Sequence, residues 1–485
     1  MKIPQIHDIQ ITPLSLNSIF ECIPQRDEIF ALLKTSGKIS GHGFSLLGMH
    51  PYLIARAKGR RCSLETAHGI EWCDEDPFQF LQKIFDASHF DLDEYLHFCG
   101  GAIGAFSYDL KEMIEEMPSY AREDVNLPDL IFVFFRNYVL FDEVERKAWK
   151  IEVIVKDHEP CTMNHKIWKK TDADSLRNER FFRNASRDLS SFRETESQRV
   201  SEKECRVEHK ELSSNFTEIE YLHAVKKIIH HIHEGDIYQA NISQRFGAAP
   251  FSADSFLLFR VLEEINPAPM MAYLQFPEAT LISTSPERFL KREGTRVITS
   301  PIKGTRPRGK TDDEDEKLQS VLWNSSKDGA ELAMIVDLMR NDLGKLAIPG
   351  SVKVTDPKRI EAYTNVFHLV ATIEAQLDPS ISSFDVIRSC FPAGSITGCP
   401  KLRAMEMIEG IEPVKRGFAY GSLGYVAFNG DFDLNVAIRT IIMKERKLFF
   451  HLGGGIVADS DPKQEYEETL QKGKSMFEIL KRINI

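Results

Sequence analysis

Ser300-Pro-Ile-Lys-Gly-Thr-Arg-Pro-Arg-Gly-Lys310 is the stretch on which the reading of this chain turns. The β-branched run Val297, Ile298 and Thr299 leads into it, so a strand is expected to end there. Pro301 and Pro307 fix the backbone, while Gly304 and Gly309 admit tight or left-handed turns. Lys303 is therefore expected on a stiff loop, with Arg306 and Arg308 close by. Positive neighbours and partial burial both disfavour an ammonium ion, and a neutral lysine amine is a nucleophile. A solvated basic turn has the same spacing, so the stretch taken alone leaves both readings open.

Around it lies a chain of 485 residues, 42% hydrophobic and 27% charged, long enough for one large core or two to three ordinary domains. A net charge of -11 argues against a mainly electrostatic nucleic-acid binder. It leaves room for an anionic substrate in a local basic pocket. The eight cysteines are scattered and form no Cys-x-x-Cys pair, so neither a zinc site nor a disulfide framework is expected, and reduced thiols in the cytoplasm are. The N-terminus, with Pro4 and Asp8, lacks the apolar core of a signal peptide, and no apolar run is long enough for a membrane span.

Working outward on the N-terminal side, 281–290 and 295–300 flank Lys291-Arg-Glu-Gly294 as a hairpin whose first arm contains Ser285-Pro-Glu-Arg288. A proline inside a strand implies an edge or bulge, so Glu287 is a carboxylate at an irregular strand position. An ideal hairpin pairs Glu287 with Ile298, and the chain must then turn at Pro301 for Glu287 and Lys303 to face one substrate. Thr217 and Glu220 form a capping box at the start of a helix whose apolar face is Leu222, Val225, Ile228, Ile229 and Ile232. Gly235 ends that helix, and Gln239 follows in a strand. His230, His231 and His233 read as a solvated face, with a metal as the lesser alternative. Residues 156–214 are polar and aperiodic, a linker or insertion. Residues 1–155 are strand-rich: Gly43–Gly48 runs into a turn at His50-Pro51, Phe98–Tyr108 is a glycine-punctuated strand, and Leu130–Phe141 with Ala148–Val155 is a hairpin. No helix pattern follows those glycines, so close sheet packing is expected rather than a dinucleotide loop.

On the C-terminal side, residues 317–342 read as helix, placing Asp328 and Glu331 on one face. Cys390-Phe-Pro-Ala-Gly-Ser-Ile-Thr-Gly-Cys-Pro-Lys401 is a rigid loop running into a helix whose amides can bind an anion. Strands are expected at Arg416–Tyr425 and at Asn435–Thr440. His451-Leu-Gly-Gly-Gly-Ile-Val457 lets backbone approach a ligand closely. The last helix carries Glu465 and Glu468 on one face.

From Asn215 to Lys472 these motifs, in this order, resemble the chorismate-utilising enzymes: Gly235-Asp-Ile-Tyr-Gln239, Ser285-Pro-Glu287, Pro301-Ile-Lys-Gly-Thr305, Glu331 with Met334-Ile-Val-Asp-Leu338, and Arg340-Asn-Asp-Leu-Gly344. Phe391–Gly398, Ile438-Arg-Thr440, Gly453-Gly-Gly-Ile456 and Glu465-Tyr-Glu-Glu468 complete the series. The resemblance implies an α+β fold of the anthranilate synthase component I type, with two mainly antiparallel sheets packed together and helices outside. The region 1–155 is expected to belong to the same unit, and 215–485 to be its catalytic region.

The same resemblance implies roles. Lys303 matches the nucleophile that marks the aminodeoxychorismate synthase component I branch, where the anthranilate-forming branch usually has alanine. Glu287 matches the general acid. Glu331 and Glu468 match ligands of Mg²⁺, with Glu465 and the Asp328 position lining the same site. Thr397, Arg439, the Gly453, Gly454 and Gly455 backbone, and His368 match groups around chorismate. A family tyrosine falls at Ala419, so Tyr420 is the candidate to replace it. Gln239 stands where hydroxyl-transferring relatives carry a water-activating lysine. Lys34, in the region of a tryptophan-sensing motif, speaks against feedback control by tryptophan. The implied reaction is amination of chorismate at C4, with ammonia from a separate glutamine amidotransferase subunit. Anthranilate formation and a non-catalytic chorismate-binding subunit are the alternatives.

Overall fold

The computed structural model describes residues 3–14, 29–35, 43–88, 98–155, 212–249, 251 and 253–482. The expected linker at 156–214 lies, up to residue 211, outside them. The root of the architecture is the long pair Phe44–Lys58 and Leu130–Asp142. Its residues are buried almost throughout because apolar groups cover both faces. Lys147–Val155 extends it, as the expected hairpin requires. His50-Pro51 is not a turn: His50 takes a φ of 58° and the strand continues past a bulge between Pro51 and Leu53.

Two arms of antiparallel strands grow from this root. The first runs through Ala31–Thr35, Met270–Phe276, Ala279–Ser285, Thr440–Lys444 and Lys447–Ile456 to Gln239–Ala248. The second runs through Gly101–Phe106, Ser422–Ala427, Phe432–Asn435, Arg288–Glu293 and Arg296–Ser300 to Val366–Gln376. Ile302–Pro307 and Lys353–Ala362 pair with Val366–Gln376 as well. The two expected sheets are thus arms of one continuous hydrogen-bonded ladder. Gly104 allows the close approach that its strand needs, since a Cβ there would stand 2.2 Å from the Ile131 carbonyl oxygen.

Alternation along each strand sorts side chains between layers. Leu33, Leu274 and Leu281 of the first arm share one buried cluster with Val297, Phe367 and Leu434 of the second. The other face of the first arm, with Leu32, Tyr273, Ile282 and Phe450, is covered by Phe259 and Leu262 of the helix Ser255–Ile265 and by Ile479 and Leu480 of Lys474–Arg482. The capping box on Thr217 forms, but the buried face of the helix Glu218–His233 is Tyr221, Ala224, Val225 and Ile228. The tyrosine takes the inner position expected for Leu222. Residues 317–342 are two helices, Asp312–Trp323 and Ser326–Gly344, because Ser325 caps a new helix through the Asp328 amide. No helix among the described residues is long and apolar enough to cross a membrane.

The chain steps directly from one arm to the other at Pro286-Glu287 and at 436–439. The two crossovers lie side by side. The Val436 amide donates to the Glu287 carbonyl (3.0 Å), the Thr284 amide to the Arg439 carbonyl (3.1 Å), and the Ser285 hydroxyl to the Val436 carbonyl (2.6 Å). The expected strand Asn435–Thr440 is therefore a connection between Phe432–Asn435 and Thr440–Lys444, with Arg439 at a φ of 49°. Pro286 sits in the other connection, where it costs no ladder hydrogen bond.

Candidate active site

Where the arms part, the crossovers and the Lys303 strand close around one cleft. The hairpin before Lys303 pairs Glu293 with Arg296, Lys291 with Ile298 and, past a bulge, Arg288 with Ser300. The ideal pairing of Glu287 with Ile298 does not occur. The chain turns at Gly294-Thr295 rather than over 291–294, which carries Glu287 past Ser300 even after the one-residue bulge, and its carboxylate faces the Ile302 amide and the Lys303 charge. Glu287 is only 5% exposed, and burial pushes its carboxyl up to about 7, against the opposing pull of Ser395, Lys303 and the Ile302 amide. A buried acid held protonated near neutrality is suited to give a proton to a leaving group.

The surroundings of Lys303 differ from the sequence expectation. Arg306 donates to Asp328 (2.9 Å) and Arg308 to Asp315 (2.8 Å), so both guanidinium groups are already paired. What faces the Lys303 Nζ is a carboxylate, Glu331 Oε2, at 3.6 Å. On the opposite wall the glycine run forms a cradle. A Cβ at Gly455 would stand 2.7 Å from Gln239 Nε2 and 3.0 Å from Lys303 Nζ, and one at Gly454 would stand 3.2 Å from Glu465 Oε2. Gly453 lies so close to the Ile242 carbonyl oxygen that a Cβ would reach it at 2.4 Å. Side chains at these positions would fill the cleft or push its walls apart.

The expected metal carboxylates arrive from two helices. Glu331 comes from Ser326–Gly344, and Glu465 and Glu468 come from Pro462–Lys472. Glu465 is buried and accepts from Ser460 Oγ at 2.6 Å, and burial raises its carboxyl. Glu468 pairs with Lys472 at 2.7 Å, whose charge lowers it, with Lys303 contributing. Asp328 accepts from Arg306 Nη2 at 2.9 Å. Among the described residues no three histidine, cysteine or acidic side chains gather closely enough to hold a metal alone. Two or three hard carboxylates at a substrate cleft nevertheless fit Mg²⁺, which binds through one or two carboxylates and keeps its other positions for water and substrate oxygens.

Of the expected substrate groups, His368 and Arg439 are the best placed. Thr305 and His368 pair across neighbouring strands, and the Thr305 hydroxyl meets His368 Nδ1 at 3.0 Å. His368 is 2% exposed, its Nε2 lacks a hydrogen-bond partner, and burial followed by the Arg439 charge pushes it down to about 3. It is a neutral imidazole in the cleft. Arg439 makes no ion pair among the described residues, and burial alone lowers it. An unmatched guanidinium beside a neutral histidine is a ready carboxylate partner. Both polar atoms of the fully buried Gln239 amide are unpartnered, as is Asn241 Oδ1 two residues on. Buried polar groups seldom stay unpaired, and the Gln239 amide lies beside Gly455 and Lys303. Asn241 is not among the expected site residues, although its place two residues from Gln239 puts both on one strand face.

Two of the expected groups are engaged by the protein itself. The Thr397 hydroxyl donates to the Ala393 and Gly394 carbonyls (3.1 and 3.2 Å), so it closes its own loop. Tyr420, at a φ of 61°, turns its ring onto Arg416 (4.7 Å) and His451 (6.1 Å). It belongs to a buried cluster in which Arg416 pairs with Glu412 (2.7 Å) and holds the Asn241 carbonyl (2.7 Å), and it leaves the Ala419 position without a tyrosine. The histidine run at 230–233 has no metal-like grouping, and His231 instead meets Asp236 at 2.8 Å.

A family model described as chorismate binding enzyme matches residues 42–478. The aminodeoxychorismate synthase component 1 of Bacillus subtilis is 35% identical, over 95% of this chain and 93% of that protein. The anthranilate synthase component 1 of Thermus thermophilus is also 35% identical, over 90% of this chain and 89% of that protein. The solved structure of anthranilate synthase component I from Streptococcus pneumoniae superposes with a TM-score of 0.72 at 27% identity, over 96% of this chain and 97% of that one.

Proposed function

Because this chain belongs to the chorismate-binding enzyme family and is a chorismate-utilising enzyme, we propose that it aminates chorismate at C4 to give 4-amino-4-deoxychorismate. The relatives include both C4-aminating and anthranilate-forming enzymes at equal identity, so similarity alone does not choose between them. The observation that carries the choice is Lys303 itself, held between Glu331 and the Gly455 cradle with the Glu287 carboxyl beside it.

Arg439 and His368 hold the anionic groups of the substrate, and the glycine backbone lets it lie against the wall. The Lys303 Nζ attacks C2. The ring double bonds shift and the C4 hydroxyl departs as water, taking its proton from Glu287. Ammonia then attacks C4, the double bonds shift back, and the bond from C2 to Lys303 breaks. Two displacements put nitrogen at C4 with the ring otherwise restored. Glu331 and Glu468, with Glu465 behind them, would hold Mg²⁺, which supplies charge neutralisation for the ring carboxylate. The ammonia comes from a separate glutamine-hydrolysing subunit, in keeping with relatives named as a first component. Cys399 and Cys390, the cysteines nearest the cleft loop, are both raised by burial, which suits inert thiols rather than a glutaminase nucleophile. The product would feed p-aminobenzoate and folate synthesis in the cytoplasm.

The test is product identification. The purified chain is incubated with chorismate, Mg²⁺ and an ammonium salt, with and without a glutaminase subunit, and the products are weighed by mass spectrometry. Aminodeoxychorismate, lost in Lys303→Ala, is expected. Anthranilate would move the reaction to C2 and overturn the assignment of Lys303.

A further inference from the structure

The helix Ser326–Gly344 presents two carboxylates one turn apart to the Lys303 strand, and they do different work. Glu331 faces the Lys303 Nζ. Asp328 accepts from Arg306 Nη2 at 2.9 Å, and Arg306 Nη1 donates back to the Thr305 carbonyl at 2.8 Å. Between Lys303 and Thr305 lies Gly304, at a φ of 75°. The strand register breaks there, Lys303 pairing with Leu369 and Thr305 with His368. The missing Cβ of Gly304 would stand 2.9 Å from Asp328 Cγ and 2.9 Å from Leu322 Cδ1. Asp328 is itself seated, its amide donating to the Ser325 hydroxyl at the helix start.

This arrangement has no evident role as a surface ion pair. Arg306 and Asp328 are partly buried, with side chains 30% and 17% exposed, and they clasp the one irregular step of the strand next to Lys303. A bulge can re-aim a side chain, but only if something fixes it. We propose that the Arg306–Asp328 pair is a positioning device: it pins the Gly304 bulge to the helix and so sets the reach of Lys303. The inference rests on the reading of Lys303 as nucleophile. It also gives Asp328 a task other than metal binding. Neither residue touches the substrate, and both act through Lys303.

The test uses the whole chain with chorismate, Mg²⁺ and ammonium salt, measuring kcat, KM, the Mg²⁺ concentration dependence and the melting temperature. Arg306→Ala and Asp328→Ala are expected to lower kcat by roughly tenfold or more, since small misplacements of a reacting group are costly. KM for chorismate and the Mg²⁺ requirement should stay within about twofold, as for an interaction felt only in the transition state. The double variant should be no worse than either single one, because both break the same link. Asp328→Asn, almost the same size, guards against simple unfolding, and Arg306→Lys should recover part of the rate. Unchanged kcat in both alanine variants, or loss that tracks melting temperature, would overturn the proposal. So would a raised Mg²⁺ requirement in Asp328→Asn with Arg306→Ala normal, which would make Asp328 a metal ligand. Lys303→Ala separates the two levels of the argument. If it retains full C4 amination, the nucleophile reading fails. If it is inactive while Arg306→Ala is fully active, only the positioning proposal fails.

Discussion

At Glu287 the proposed acid role and a stability effect would both follow from burial. Its carboxyl titrates near about 7, chiefly because burial disfavours the anion. On the proposed role the protonated form is the competent acid, so at fixed free ammonia the rate should fall as pH rises through about 7, and Glu287→Gln should abolish both the rate and that limb. A folded-state value raised above the unfolded one means a stabilising contribution that is complete below the unfolded value of 4.5 and lost as pH rises through about 7. Glu287→Gln should therefore gain about 3 kcal/mol relative to the parent between acid and mildly alkaline pH, read by denaturant melts at both. Gly455→Ala makes a steric prediction. The added methyl would meet Gln239 Nε2 and Lys303 Nζ, so turnover should fall by roughly a hundredfold while the fold persists, checked by kinetics beside far-ultraviolet circular dichroism.

At the scale of elements, local patterns were legible and the joins between them were not. The Thr217 capping box, the Leu130–Asp142 hairpin and the Glu465–Glu468 helix face all follow from short-range rules and occur as expected. Thr217→Ala should cost about 1 kcal/mol of stability and leave kcat unchanged, since the cap lies at the far end of its helix from the Gln239 strand. The places where reading failed are those where a long-range partner decides. Asn435–Thr440 has strand-like residues, yet it crosses between arms because Val436 and Arg439 bond to the Glu287 and Thr284 backbones. The Glu287 register depends on the chain turning at Gly294-Thr295, whereas the polar run Lys291-Arg-Glu-Gly294 reads as the loop. The candidate site was legible as a set of residue types, Lys303, Glu287, Glu331 and Glu468, because ordered motifs carry it. That Arg306 and Arg308 would be neutralised by Asp328 and Asp315 was not legible, since those partners fold in from following helices.

For the molecule as a whole, the buried Arg416 is a tie between parts far apart in sequence. Its guanidinium reaches Glu412 and the carbonyls of Ile396 and Asn241. Arg416→Leu would strand Glu412, 4% exposed, as an unpaired buried charge, and should cost about 3–5 kcal/mol in equilibrium unfolding. The root pair Phe44–Lys58 and Leu130–Asp142 has a consequence of another kind. Both arms hydrogen-bond outward from it, so the walls of the cleft are stitched to a common seam and cannot swing apart about a loop as two lobes would. Amide deuterium uptake would register this as one slow-exchanging unit, in which Ala31–Thr35 and Gly101–Phe106 lose protection together. Chorismate would then enter with the seam closed, and the seam would stay closed through every turnover.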